Sequence, residues 1–259
     1  MRRAPAWLAA LALASGCATQ GSDLPTLPGA AKGRLLALGL PERFETSGAV
    51  WHAGSGRLLV VSDEGVLALV SLDGKERTFV DVGGDLEAVT LTDPKSSFAY
   101  VGVERPAAIV EVDLRTLQVT RRFDLEGILS GLEGLAFVPD GAGGGTFWVG
   151  VQEDARVVEV MLPLREGGPA RKVREFVPVA GMRDLADLGY DAVQGVVLAL
   201  YDKANRLVML SREGEVRGSW SLPGREQEAV ATLPGGLAIG DDANGEVILY
   251  PSLPSPRPR

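Results

Sequence analysis

The chain has 259 residues, 46% of them hydrophobic and 23% charged, a globular composition large enough for one undivided all-β domain. Its net charge of −8, from 26 Lys+Arg against 34 Asp+Glu, disfavours nucleic acid as a partner. A single Cys excludes internal disulfides, and with a single His it leaves too few ligands for a His/Cys zinc site.

The first element reads as an address. Residues 1–17, MRRAPAWLAALALASGC, place Arg2 and Arg3 ahead of an apolar core from Ala6 to Ala14 that is too short to span a bilayer. Leu13-Ala14-Ser15-Gly16-Cys17 resembles the lipobox of bacterial lipoproteins, in which the signal peptide is cut before the Cys and that Cys is acylated. The resemblance implies lipidation at Cys17 and membrane attachment. Ala18, standing where Asp would retain an inner-membrane protein, implies the outer membrane with the globule facing the periplasm. An ordinary secretory signal with an incidental Cys is the other reading. Residues 18–32 are small, polar and Pro-containing, and are predicted to be a flexible tether.

Residues 33–251 carry an internal repeat. An orphan apolar strand, Arg34 to Leu40, comes first. Five segments then share one grammar: a short small-or-acidic motif, an apolar strand, a turn, a second apolar strand ending in acidic residues, and a third strand. Ser47, Glu87, Glu133, Ala186 and Glu228 are equivalent starts, spaced 40, 46, 53 and 42 residues apart. The longer spacings hold visible insertions, GAGGG at 141–145 and PLREGGPARK at 163–172. A period of about 40–45 residues with about four strands each is that of propeller blades. The expected fold is therefore an all-β, five-bladed β-propeller of antiparallel strands. The fifth segment runs into the Pro-rich tail, 252–259, without a fourth strand, so the orphan N-terminal strand is predicted to complete that blade and close the ring. A six-bladed ring with one degenerate blade is the alternative.

The phrases SGAVWHAGSGRLLVVSDE, LEGLAFVPDG, ANRLVMLSREGEV and EQEAVATLPGG together resemble the SdiA-regulated, YjiK-like family of exported propellers, over about residues 34–250. A group named for phytase-like esterase domains shares similar phrases. The resemblance implies a propeller in the cell envelope and, for some relatives, a calcium ion in the central channel.

In a propeller, equivalent positions form rings around the axis. The first ring is Ser47, Glu87, Glu133, Ala186 and Glu228. Three carboxylates in one channel repel unless a cation, protons or Arg/Lys partners intervene. Oxygen ligands suit a hard divalent cation, so Glu87, Glu133 and Glu228, joined by Asp184, are candidate Ca2+ ligands. Solvated or Arg-paired glutamates are the competing reading. A second acidic ring follows the second strands: Glu64, Glu104, Glu153, Asp202 and Asp242. It is expected at the opposite mouth or on the blade flanks, with turn-capping as its simpler role. His52 has no partner for catalysis, and Ser47 and Ser62 lack a nucleophile context. The expected function is a ligand- or partner-binding module for a small molecule or an envelope protein. The alternative is a metal-assisted hydrolase of ester, lactone or phosphoester bonds.

Overall fold

The computed structural model describes residues 24–41, 44–165, 167–241, 245–251 and 255. The signal segment with Cys17, the start of the tether, Asp242 and most of the tail lie outside the described residues. A short strand β1 (Arg34–Leu36) precedes the repeats. The first blade is β2 (Gly48–His52), β3 (Arg57–Ser62), β4 (Val66–Val70) and β5 (Arg77–Asp81). The second is β6 (Leu86–Leu91), β7 (Phe98–Val103), β8 (Ala108–Asp113) and β9 (Gln118–Asp124). The third is β10 (Leu132–Pro139), β11 (Gly145–Val151), β12 (Arg156–Met161) and β13 (Arg171–Phe176). The fourth is β14 (Leu185–Asp191), β15 (Val196–Tyr201), β16 (Arg206–Leu210) and β17 (Val216–Ser221). The fifth has β18 (Gln227–Leu233), β19 (Gly236–Asp241) and β20 (Glu246–Tyr250) from its own repeat, and takes β1 as its outer strand.

The five sheets are antiparallel, and the first strand of each packs against the first strands of its two neighbours, which closes the ring. β1 pairs antiparallel with β20, Leu35 opposite Ile248, so the two ends of the repeat region meet in one blade. Ring closure of this kind leaves no open sheet edge between first and last blades.

The second and third strands are continuous apolar runs because both of their faces are covered by adjacent blades. Leu58, Leu59, Val60 and Val61 are all fully buried. The blades fit by knob and hole. A Cβ on Gly102 would collide with Leu132 of the next blade, and one on Gly150 would meet Leu185. Outer strands such as β9 (QVTRRFD) and β13 (RKVREF) are polar and mostly exposed.

The described part of the segment read as a tether lies against the fourth blade. Thr26 bridges Ser221 in parallel, Leu27 N–H donates to Ser221 O at 2.9 Å, and Leu27 is buried. Its last residues, Ala30–Lys32, form one 3₁₀ turn.

Candidate functional site

The innermost strand of each blade turns its unpaired hydrogen-bonding edge to the axis. Those edges are bulged at one repeated place. The register with the second strand shifts between Leu86 and Ala88, Leu132 and Gly134, Leu185 and Asp187, and Gln227 and Ala229. The extra residues are Glu87, Glu133, Ala186 and Glu228. In the first blade Ser47 donates its N–H to Val61 O while Gly48 also pairs with Val61, which gives the same doubling. A bulge re-aims one side chain out of the alternating pleat. The first ring of the sequence is thus a ring of bulge residues, with Ser47 and Ala186 buried as its neutral members.

The carboxylates of that ring act on one another. Burial, then the charges of Glu133 and Asp85, then a hydrogen bond with Asp85 and the charge of Glu228 push Glu87 up to about 9. Burial together with Glu104 and Asp85 pushes Glu133 up to about 7, against the pull of Arg105. Asp85, Glu87 and Glu104 each offer an oxygen, and these oxygens lie within 4.8 Å of one another. Glu104 is itself raised, first by burial and then by its hydrogen bond with Asp85, while its ion pair with the exposed Arg105 opposes the shift.

Glu104 corrects the expectation for the second acidic ring. It stands at the same mouth as Glu87, not the opposite one. In an antiparallel hairpin the end of the second strand lies beside the start of the first, as Glu104 N–H donating to Asp85 O at 2.9 Å shows. Asp202 obeys the same geometry. Its N–H donates to Asp184 O, and its Oδ1 accepts the N–H of Gln227 in the fifth blade. Asp184, at a φ of 57°, is engaged by Lys203 Nζ at 2.8 Å. Glu64 is exposed, its N–H bonded to Ser62 Oγ. Glu153 is exposed and lines a separate flank hollow of about 480 Å³ with Met182 and Arg183.

Beyond the acidic mouth the channel is plugged. Asp187 is 1% exposed, and its carboxylate accepts the N–H of Leu188 at 2.7 Å and of Val230 at 2.8 Å. The N–H groups of Leu135 and Ala49 donate to it as well. These four donors are equivalent positions, one from each of four blades, and they match the roughly four lone-pair directions of a carboxylate. Burial drives the Asp187 carboxyl well above the usual carboxylate range, and the four donors oppose that shift only in part. The other repeats carry Gly48, Ala88, Gly134 and Ala229 where Asp187 stands. A Cβ on Gly134 would lie 2.8 Å from Leu188 N and 2.9 Å from Asp187 C, so the small residues make the space the plug occupies. At the far end the channel widens into a funnel of about 520 Å³ with a largely apolar lining.

Sequence reasoning found Glu87, Glu133, Glu228 and Glu104 but missed Asp85 and Asp187. Asp85 sits two residues before the bulge, where Glu45, Asp184 and Glu226 are its acidic equivalents, so a third acidic column was readable. Asp187 was readable as the one charged residue in a column of Gly and Ala.

The fold and the site define a five-bladed β-propeller with one acidic mouth, a carboxylate plug and one apolar mouth. No protein-family model matches the chain, and no curated protein sequence matches it. Solved structures of propeller proteins do. Myxococcus xanthus glutaminyl cyclase matches with a TM-score of 0.66 at 13% identity, over 84% of this chain and 92% of that one. A chain of a nidogen/laminin complex matches with a TM-score of 0.56 at 16% identity, over 80% of this chain and 76% of that one. Kuenenia stuttgartiensis hydrazine synthase matches with a TM-score of 0.49 at 15% identity, and the chain spans 58% of that protein's length. At these identities the likeness is one of fold.

Proposed function

We propose that the protein is a binding propeller of the cell envelope whose acidic mouth holds a divalent cation, calcium by its chemistry, as part of a ligand- or partner-binding surface. One observation carries the reading: Asp85, Glu87 and Glu104 gather their oxygens within 4.8 Å, with Glu133 and Glu228 close enough to raise Glu87. Such a cluster is costly when charged, and the Arg105–Glu104 pair brings one positive charge to the three carboxylates of Asp85, Glu87 and Glu104. Several hard oxygen donors suit calcium better than zinc. The SdiA-regulated resemblance and the lipobox-like Cys17 support an exported, lipid-anchored setting.

The test is thermal unfolding of the full chain, stripped of metal and then titrated with calcium. A ligand at a hundredfold excess over its Kd stabilises by about 2.7 kcal/mol. A calcium-dependent rise in Tm is expected, lost in Glu87→Gln and unmatched by equal ionic strength of sodium. A wild-type Tm indifferent to calcium overturns the proposal.

A hydrolytic reading has one observation in its favour. Glu133, pushed up to about 7, has the poise of a general base beside a bound cation. Calcium-dependent turnover of an ester, lactone or phosphoester that Glu133→Gln abolishes without losing the calcium-induced Tm rise would establish it. Calcium binding without turnover leaves the binding module.

A further inference from the structure

We propose that the funnel at the opposite end of the channel is a second ligand site, and that it takes an uncharged, largely apolar small molecule. The proposal is independent of the acidic mouth, because the Asp187 lattice separates the two chambers. That lattice makes the funnel blind, so no polymer chain threads it. Its volume, about 520 Å³, falls in the range of about 300–1,000 Å³ typical of small-molecule pockets.

The rim is built where each first strand ends and turns towards its second strand, and each blade supplies an apolar residue there: Ala53, Pro94, Val193 and Pro234 from turns, and Pro139 from the end of β10. Val193 is 92% exposed. Apolar residues from all five blades converging at one mouth, on a chain of net charge −8, form a concentrated apolar surface of the kind that marks a binding site.

The lining also excludes other ligand classes. No Lys, Arg or His is among the described lining residues, so an anion meets no counter-charge. The two carboxylates there, Asp93 and Asp191, cap turns. Asp93 Oδ1 accepts the N–H of Lys95 at 2.8 Å, and Asp191 accepts the N–H of Val193 at 2.9 Å and the Gln194 side-chain amide at 2.8 Å. The polar side chains left in the wall include the threonine hydroxyls of Thr90 and Thr232, of which Thr90 accepts the N–H of Phe137. Dispersion and desolvation, not charge pairing, are what this surface offers a ligand.

The probe is N-phenyl-1-naphthylamine, a neutral aromatic amine whose emission rises in apolar surroundings, titrated into the full chain. Saturable binding at one site per chain is expected. Val50→Trp places an indole in the funnel and should weaken binding about tenfold or more. Phe79→Ser, which removes an exposed apolar side chain from an outer strand, should leave binding unchanged. If Val50→Trp lowers the Tm sharply, Val193→Asp decides instead, since its side chain stands in solvent and its effect falls on the rim. The proposal is overturned if wild type shows no saturable signal, or if a folded Val50→Trp or Val193→Asp binds as wild type does. It is also overturned if the chain self-associates and Val193→Asp abolishes that association, which would make the funnel an interface between copies.

Discussion

Asp187 is the residue on which the hub turns. It accepts N–H groups from four blades at one point, so its side chain does for the inner strand edges what a paired strand does elsewhere. Asp187→Ala strands those donors in a buried space, at about 1–3 kcal/mol for each unsatisfied group. A loss of at least ~3 kcal/mol in urea unfolding is therefore expected. Asp187→Asn conserves shape but points an NH2 at the donors, and should cost about as much. Excess formate should recover part of the stability of Asp187→Ala, where it can replace the missing carboxylate, and none of that of Asp187→Asn. An Asp187→Asn protein within ~0.5 kcal/mol of wild type would show that the four donors do not depend on a carboxylate. The hub escaped the sequence reading for a physical reason. A repeat search rewards positions that agree, and Asp187 matters because it disagrees with Gly48, Ala88, Gly134 and Ala229.

At the scale of strands, the legible and illegible parts divide by burial. Strands such as β3 (RLLVVS) and β15 (VVLALY) are covered on both faces, and their unbroken apolar runs revealed the period. The outer strands β9 (QVTRRFD) and β13 (RKVREF) are exposed and polar, and were inferred from blade arithmetic alone. These outer strands carry the ties between blades. Arg121 on β9 pairs with the buried Glu111 of β8 and donates to Leu164 O of the third blade at 2.7 Å. Thr120 and Tyr100 also bond Glu111, and against the cost of burial these partners hold its carboxyl below the usual range. Arg174 repeats the device one blade on, pairing with Glu159 and donating to Glu213 O at 2.9 Å. Arg121→Ala leaves a carboxylate buried without its cation, and should cost ~3 kcal/mol in urea unfolding with an unchanged m value. Arg122→Ala breaks an exposed pair with Asp124 and an exposed bond to Pro106 O, and should cost about 0–1 kcal/mol. Equal effects from the two would mean that the blades are held by apolar contact alone.

For the whole molecule, the carboxylate mouth ties stability to pH in a direction opposite to ordinary acid denaturation. Glu87 and Glu133 start near 4.5 in the unfolded chain and rise to about 9 and about 7 in the folded one. A carboxyl raised on folding binds its proton more tightly in the native state. Its contribution is whole below the unfolded value and fades as pH climbs through the folded one. The metal-free propeller should therefore lose stability continuously from about pH 5 upward, more gently once Glu133 is ionised above about pH 7, and no further from this source once Glu87 is ionised above about pH 9. Calcium needs the carboxyl groups of this mouth ionised, so it competes with those protons and is held more tightly as pH rises. With calcium in excess, the decline across that window should flatten or reverse, and the two unfolding curves should draw together at low pH. Glu133→Gln should make the decline between pH 5 and 7 shallower and, because the Glu133 charge helps to raise Glu87, end the remaining decline at a lower pH. Tm followed from pH 5 to 10 with and without calcium reads all of this in one series. A metal-free curve that is flat over the range would mean that Glu87 and Glu133 are ionised in the folded chain at little cost, and that the mouth has no need of a cation.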